Sequence, residues 1–314
     1  MIRTILVPLD GSHFAEQALP LALGVARRAN AEIQLLFVHG PMDVVHPDHH
    51  FVAENSLVTE WKTEHRAYLD DTAQRLRAAG IKSVNVFLLE GDVAATIQQH
   101  IAAHPVDLVV MTTHARGPVA RVWLGSVADR LIRELAVPLL LVRPTEGKAN
   151  FTEEVRLRHF LLPLDGTPLA EQIIEPAIAL GELMDTEYTL LRVIQPVPTT
   201  DYLAERMRTG GTPGVLVAPS ETTRAQLHTR AQAYLDQVAE RFREKLLRVR
   251  TCVAEETQPA VAVLETADHL PADLIAMQTH GRRGLSRLLF GSVADKVLRG
   301  AKMPLLIQRP APHH

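Results

Sequence analysis

Leu6-Val7-Pro8-Leu9-Asp10-Gly11-Ser12 reads as a short apolar strand running into a turn, and it occurs twice, returning as Leu161-Leu162-Pro163-Leu164-Asp165-Gly166-Thr167. Ala15-Glu16-Gln17 returns as Ala170-Glu171-Gln172, at the same offset of 155 positions. Toward the end of each half, Leu124-Gly125-Ser126-Val127-Ala128-Asp129 returns as Phe290-Gly291-Ser292-Val293-Ala294-Asp295, at an offset of 166. The second half therefore carries 11 extra residues in between. Their place is 196–220, rich in Pro, Gly and Thr, which reads as a loop. A solenoid repeats every roughly 20–50 residues; this period is far longer and marks a duplicated domain.

Around the repeats, strand-like and helix-like segments alternate, the pattern of a parallel α/β sheet. The first half predicts strands at 2–9, 32–39, 82–89, 106–112 and 138–143, with helices near 12–29, 55–79, 92–103 and 126–136. The second half predicts strands at 157–164, 187–194, 247–254, 273–278 and 304–309. Runs such as Leu108-Val109-Val110-Met111 and Leu139-Leu140-Leu141-Val142 are apolar throughout, as expected of strands covered on both faces. Ser12 and Thr167 are N-cap candidates, and Pro168 suits a first helical position. Pro20 and Pro176 fall inside helical patterns and predict a kink in each first helix. Pro138 to Val142 and Pro304 to Gln308 are last strands; their leucine-rich character predicts edge-to-edge pairing of the halves about a pseudo-twofold axis.

The chain has 314 residues, 46% hydrophobic and 22% charged, with a net charge of -3. That is two domains' worth of globular sequence, without a basic field for nucleic acid or a polybasic membrane patch. Aromatic content of 4% disfavours base-stacking platforms. A single cysteine, Cys252, excludes an internal disulfide and a cysteine-based metal cluster and reads as a small buried apolar residue. No apolar run reaches the roughly 20 residues needed to span a bilayer. The Met1–Pro8 run is too short for a signal peptide, so a soluble cytoplasmic protein is expected.

In an open doubly wound sheet, ligands bind beyond the carboxyl ends of the strands where strand order reverses. Asp10 and Asp165 follow the first strand of each half; Thr112-Thr113-His114-Ala115 and Gln278-Thr279-His280-Gly281 follow the fourth. If strands one and four are neighbours, each half builds one crevice. Gly125-Ser126 and Gly291-Ser292 open helices, and with Asp129 and Asp295 they resemble capping boxes with Asp in place of Glu. Such a start favours phosphate, although Gly-Ser-x-x-Asp also caps helices that bind nothing. Arg116 and Arg121, and Arg282, Arg283 and Arg287, add positive charge to the loops, or form a solvated face. His114 and His280 read as loop residues rather than catalytic ones, since no nucleophile with an orienting acid stands beside them. His46, Asp48, His49 and His50 read as a solvated loop; a divalent metal is the competing reading.

These motifs carry a resemblance. Each half is similar to a universal stress protein domain, and the whole chain resembles a tandem member of that family. The resemblance rests on the hydrophobic-Pro-x-Asp-Gly-Ser/Thr opening, the Thr-His stretch after an apolar strand, and Gly-Ser-Val-Ala-Asp followed by Val137-Pro138-Leu139 or Met303-Pro304-Leu305. It implies domains at 1–146 and 157–314 with a linker at 147–156. It implies two tandem doubly wound five-stranded parallel-sheet domains of the adenine-nucleotide alpha-hydrolase-like (Rossmann-like) class, dimerised through the last strand. In the nucleotide-binding branch, a Gly-x2-Gly-x9-Gly-Ser/Thr loop cradles the ATP phosphates and ribose.

Carried over residue by residue, the cofactor-binding positions of the first half are Pro8, Leu9, Asp10, Val38, Met111, Thr112, His114, Ala115, Gly125, Ser126 and Val127. Those of the second are Pro163, Leu164, Asp165, Val193, Met277, Gln278, His280, Gly281, Gly291, Ser292 and Val293. Thr112, Ala115 and Gln278 stand where the family has glycine, which ranks the second half as the better site. The resemblance thus implies a non-catalytic, ATP-binding stress-response regulator, with Mg²⁺ as an optional companion of the phosphates and a homodimer as an optional assembly. The alternative is a protein-interaction scaffold with empty nucleotide sites. No Walker loop is present and each crevice has one carboxylate, so no enzyme is expected, with slow ATP turnover left open.

Overall fold

The computed structural model describes residues 1–40, 54–113, 124–145, 147, 149–151, 155–195, 221–279 and 291–309; the side chains of 54–58 lie outside that description. The first half runs β1 (Thr4–Leu9), α1 (Leu19–Ala29), β2 (Glu32–His39), α2 (Glu54–Ala78), β3 (Val84–Glu90), α3 (Val93–Ala103), β4 (Leu108–Thr112), α4 (Ser126–Glu134) and β5 (Leu139–Val142). The second runs β6 (His159–Pro163), α5 (Pro168–Glu171), α6 (Ile174–Glu182), β7 (Glu187–Ile194), α7 (Glu221–Arg243), β8 (Val249–Glu255), α8 (Pro259–His269), β9 (Leu274–Gln278), α9 (Ser292–Gly300) and β10 (Leu305–Gln308).

The strands form one ten-stranded sheet in the order β3-β2-β1-β4-β5-β10-β9-β6-β7-β8. Every pair within a half is parallel, and order reverses between β1 and β4 and between β6 and β9. The centre of the sheet is antiparallel: Leu305, Leu306 and Ile307 of β10 oppose Leu141, Leu140 and Leu139 of β5. Parallel halves joined antiparallel point their carboxyl ends at opposite edges of the sheet, so the two crevices lie at opposite edges.

Two apolar layers run the width of the molecule. One packs Ile5, Val7, Leu140, Phe160, Leu162 and Leu306 under α1, α2, α6 and α7; the other packs Leu6, Val109, Leu139, Leu161, Ile275 and Leu305 under α3, α4, α8 and α9. Alternate side chains of one strand thus feed opposite layers, as the two-residue period requires. Leu140 and Leu306 are fully buried at the join, where each contributes about 1.5–3 kcal/mol relative to an exposed position.

Both first helices come in two pieces. Pro20 sits at the start of α1, directly after a 3-10 turn at Ala15–Ala18, and Pro176 lies in the first turn of α6, after the short helix α5 has ended. Each proline occupies a first-turn position where its missing N–H costs little. Two aspartates missed in the sequence fix the strand order from the other end. Asp107 Oδ2 accepts the N–H groups of Arg3 (2.7 Å) and Thr4 (2.9 Å), and Asp273 Oδ2 those of Arg158 (2.7 Å) and His159 (3.0 Å). Each clips the start of its half's first strand to the start of the fourth.

Candidate functional site

Asp10 and Asp165 close the same turn to within a tenth of an ångström. Asp10 Oδ1 accepts Ser12 N–H (3.0 Å) and Ser12 Oγ–H (2.6 Å); Asp165 Oδ1 accepts Thr167 N–H (3.0 Å) and Thr167 Oγ1–H (2.6 Å). The hydroxyls in turn accept Ala15 N–H (3.1 Å) and Ala170 N–H (3.2 Å); Thr167 is the expected N-cap, of α5, whereas the 3-10 turn after Ser12 has Phe14 as its N-cap residue. The intervening glycines, Gly11 and Gly166, both have φ of 79°. That left-handed turn is what glycine admits without a Cβ penalty.

The fourth strand lies beside this turn. Ile5 pairs with Leu108 and Leu6 with Val109; Phe160 pairs with Leu274 and Leu161 with Ile275. Carried to the carboxyl end, that register sets Leu9 level with Thr112 and Leu164 level with Gln278. Thr113 O then accepts Gly125 N–H (2.9 Å), and Thr279 O accepts Gly291 N–H (3.0 Å), so the start of α4 or α9 returns to the strand end it left. Gly125 and Gly291 are the N-caps, with no side-chain cap bond. The first helical bonds are Asp129 N–H to Gly125 O (2.8 Å) and Asp295 N–H to Gly291 O (3.0 Å). The N–H groups of Ser126, Val127 and Ala128, and of Ser292, Val293 and Ala294, precede them and have no acceptor inside the helix. A glycine-opened helix start of this kind fits phosphate.

The expected capping boxes are not formed. Ser126 and Ser292 are first helical residues rather than caps, and Asp129 and Asp295 turn along the helix to Arg133 and Arg299, each at 2.9 Å. An arginine four residues on satisfies the carboxylate better than a backbone N–H that its short side chain reaches poorly. Val38, Met111 and Val127, and Val193, Met277 and Val293, all belong to the apolar layer under α3, α4, α8 and α9. Pro8 and Pro163 are half-buried. Thr112 and Gln278 are both buried, and Gln278 Nε2 is directed along the sheet to Gln308 Oε1 at 3.5 Å. His114, Ala115, His280, Gly281, the loop arginines and the His46–His50 cluster lie outside the described residues. Among the described residues no group of three acidic, His or Cys side chains could hold a metal.

Behind each turn stands a polar set that sequence reasoning missed. Glu171 accepts the Tyr234 hydroxyl (3.1 Å) and pairs with Arg241 (3.1 Å); Glu16 pairs with Arg75 (3.1 Å), beside Tyr68. Burial first, then the Glu16 or Glu171 charge, pushes both tyrosine hydroxyls above their ordinary pKa, so both stay protonated. The signal was present: Ala67-Tyr68-Leu69-Asp70 returns as Ala233-Tyr234-Leu235-Asp236. The halves differ one strand over. Phe37, opposite Leu9, stacks on His65 at 4.1 Å, whereas Arg192 in β7 donates to Leu164 O at 3.1 Å. A guanidinium thus braces the backbone just before Asp165 and an aromatic ring fills the same place before Asp10. A separate groove of about 890 Å³ opens at the amino ends of the second half's strands; its Arg248 is already paired with Asp185 and Glu187.

The universal stress protein family model matches residues 1–143 and 156–309. A universal stress protein of Mycolicibacterium smegmatis is 26% identical over 314 residues, covering 98% of this chain and 97% of its own. A single-domain universal stress protein of Thermus aquaticus is 29% identical over 143 residues, 46% of this chain and 100% of its own length. The crystal structure of a universal stress protein from Archaeoglobus fulgidus superposes with a TM-score of 0.65 at 18% identity, covering 98% of this chain and 96% of that one, a likeness of fold.

Proposed function

The chain belongs to the universal stress protein family, as two domains in tandem, and from that premise we propose that it is an ATP-binding regulator without catalysis of its own. The observation that carries the reading is the pairing, in both halves, of an Asp-Gly-Ser/Thr turn with a glycine-opened Gly-Ser helix start at a reversal of strand order. The aspartate would face ribose or base, and the helix N–H groups would take the phosphates. The second half is the better site: Arg192 braces its turn, and Gln278 is directed toward Gln308. Mg²⁺ would relieve the repulsion between Asp165 and a triphosphate. The edge pairing of β5 with β10 makes one chain do what two copies do when they join through last strands.

Calorimetric titration of the full chain with ATP is expected to give a stoichiometry nearer one than two. Gly291→Val, which puts a branched side chain at the helix start, should weaken binding at least tenfold. ATP should bind more tightly than AMP, and added salt should narrow the gap, since exposed charge pairs are screened over about 8 Å at physiological ionic strength. Equal binding of ATP and AMP at low and high salt would make the helix start a structural cap. The β-branched Thr112 favours a second reading for the first half alone, a scaffold surface without nucleotide. No detectable heat with any adenine nucleotide would extend that reading to the whole chain.

A further inference from the structure

The two halves exchange arginines across their join. Arg143, one residue past β5, donates through Nη2 to Arg299 O (2.7 Å) and Leu298 O (3.3 Å), in the last turn of α9. Arg309, the matching residue past β10, donates through Nη1 to Glu134 O (3.4 Å) at the end of α4, and Gln308 Nε2 donates to Ala136 O (3.3 Å). The last carbonyls of a helix have no partner within it, and a cation there meets the negative end of the helix dipole. Arg143 is half-buried, and burial lowers its pKa from the ordinary guanidinium value.

We propose that Arg143 is a positioning residue for the second half's site, and Arg309 its counterpart for the first, each half completing the far end of the helix whose start is the other half's phosphate cradle. The proposal rests on the nucleotide reading above. A helix of nine residues is only about 13 Å long, so an anion at its start and a guanidinium at its end act on one short rigid body. Both favour the fully wound helix, and their effects reinforce each other. The tie also reaches the first crevice. Val142 O, next to Arg143, accepts the N–H of Thr113 (3.0 Å), which sits at the base of the first half's loop. Occupancy of the second half's site is thereby felt at the base of the first half's loop.

The test compares the full-length chain with Arg143→Met, which keeps the apolar stem, and Arg143→Lys, which keeps the charge without the fork. Hydrogen exchange is followed by mass spectrometry over 294–301, without ligand and with ATP, alongside ATP affinity by calorimetry. Without ligand, Arg143→Met is expected to speed exchange in 294–301 at least threefold while β6 and β7 exchange as in the parent. With ATP, affinity should fall three- to tenfold, and Arg143→Lys should recover most of it. Unchanged exchange in 294–301 would overturn the proposal whether or not ATP binds. Faster exchange with unchanged affinity would overturn it too. Failure of the parent chain to bind ATP would sink the nucleotide reading, and with it the role of Arg143 at a site. Should Arg143→Met not fold, Arg143→Lys alone decides, with a smaller rise in exchange expected and no rise overturning the idea.

Discussion

Tyr188 is fully buried in β7, and its hydroxyl is one of two buried side-chain polar atoms among the described residues without a hydrogen-bond partner, the other being that of Tyr68. A buried hydroxyl without a partner costs about 1–3 kcal/mol. Tyr188→Phe removes it without changing the ring, so urea denaturation should find the variant as stable as the parent or more stable by about 1 kcal/mol. The same hydroxyl explains Gly181, where an added Cβ would fall 2.0 Å from the Tyr188 oxygen. Gly181→Ala should cost about 1–3 kcal/mol through overpacking, and the double variant with Tyr188→Phe should recover most of it. Gly166 is glycine for another reason. Its φ of 79°, the same as that of Gly11, lies where residues with a Cβ are strained. Gly166→Ala should lower stability by about 1–2 kcal/mol and, by tilting the turn that carries Asp165, weaken ATP as well.

At the scale of single elements, α3 carries a titration. His100 is buried, its Nε2 lies 2.8 Å from Gln34 Oε1, and its ring stacks on His104 at 4.2 Å. Gln34 Nε2 donates onward to Glu32 (3.1 Å), and Phe87 of β3 packs against both imidazoles, 4.5 Å from His100 and 5.3 Å from His104. Burial first, then the neighbouring His104, lowers the pKa of His100 below 6.5. The unfolded chain therefore takes up a proton more readily than the folded one. The stability held by neutral His100 is present above that value and is lost as pH falls from it toward the depressed folded pKa. Stability measured by denaturant between about pH 7 and 5 should fall, and His100→Gln, which keeps a donor for Gln34, should flatten the slope. An unchanged slope would place the titration elsewhere, with His65, also lowered by burial, the next group to replace.

At the scale of the whole molecule, the antiparallel join decides cooperativity. Both apolar layers pass through β5 and β10 without a break. Unfolding of the full chain should thus be a single transition by circular dichroism and by tryptophan fluorescence. Both tryptophans, Trp61 and Trp123, lie in the first half, so a split between the probes would reveal independent halves. Leu140→Asp places a charge at the centre of the join, fully buried against β10. It should cost at least about 3 kcal/mol, and sedimentation should show a more extended monomer if the halves part. A first half produced alone, as residues 1–143, would expose the β5 edge and is expected to sediment as a dimer through that strand.

The sequence by itself determined the duplication, the class of each half and the positions of all ten strands, because apolar period and strand length are local properties that a repeat states twice. It also placed Asp10, Asp165, Gly125 and Gly291, since turn chemistry and helix starts are written in neighbouring residues. It misjudged the Gly-Ser-x-x-Asp motifs, where one local rule met another: Arg133 and Arg299 outcompeted the backbone for Asp129 and Asp295. It did not see the Glu-Arg pairs behind the turns or the arginines exchanged across the join. Those partners lie 59 residues apart for Glu16 and Arg75 and 156 for Arg143 and Arg299, and no local pattern encodes which distant groups meet. Only the tertiary structure decided that Arg143 reaches the other half's helix, because that contact exists only once β5 and β10 have paired antiparallel and turned the two sets of strand ends to opposite edges of one sheet.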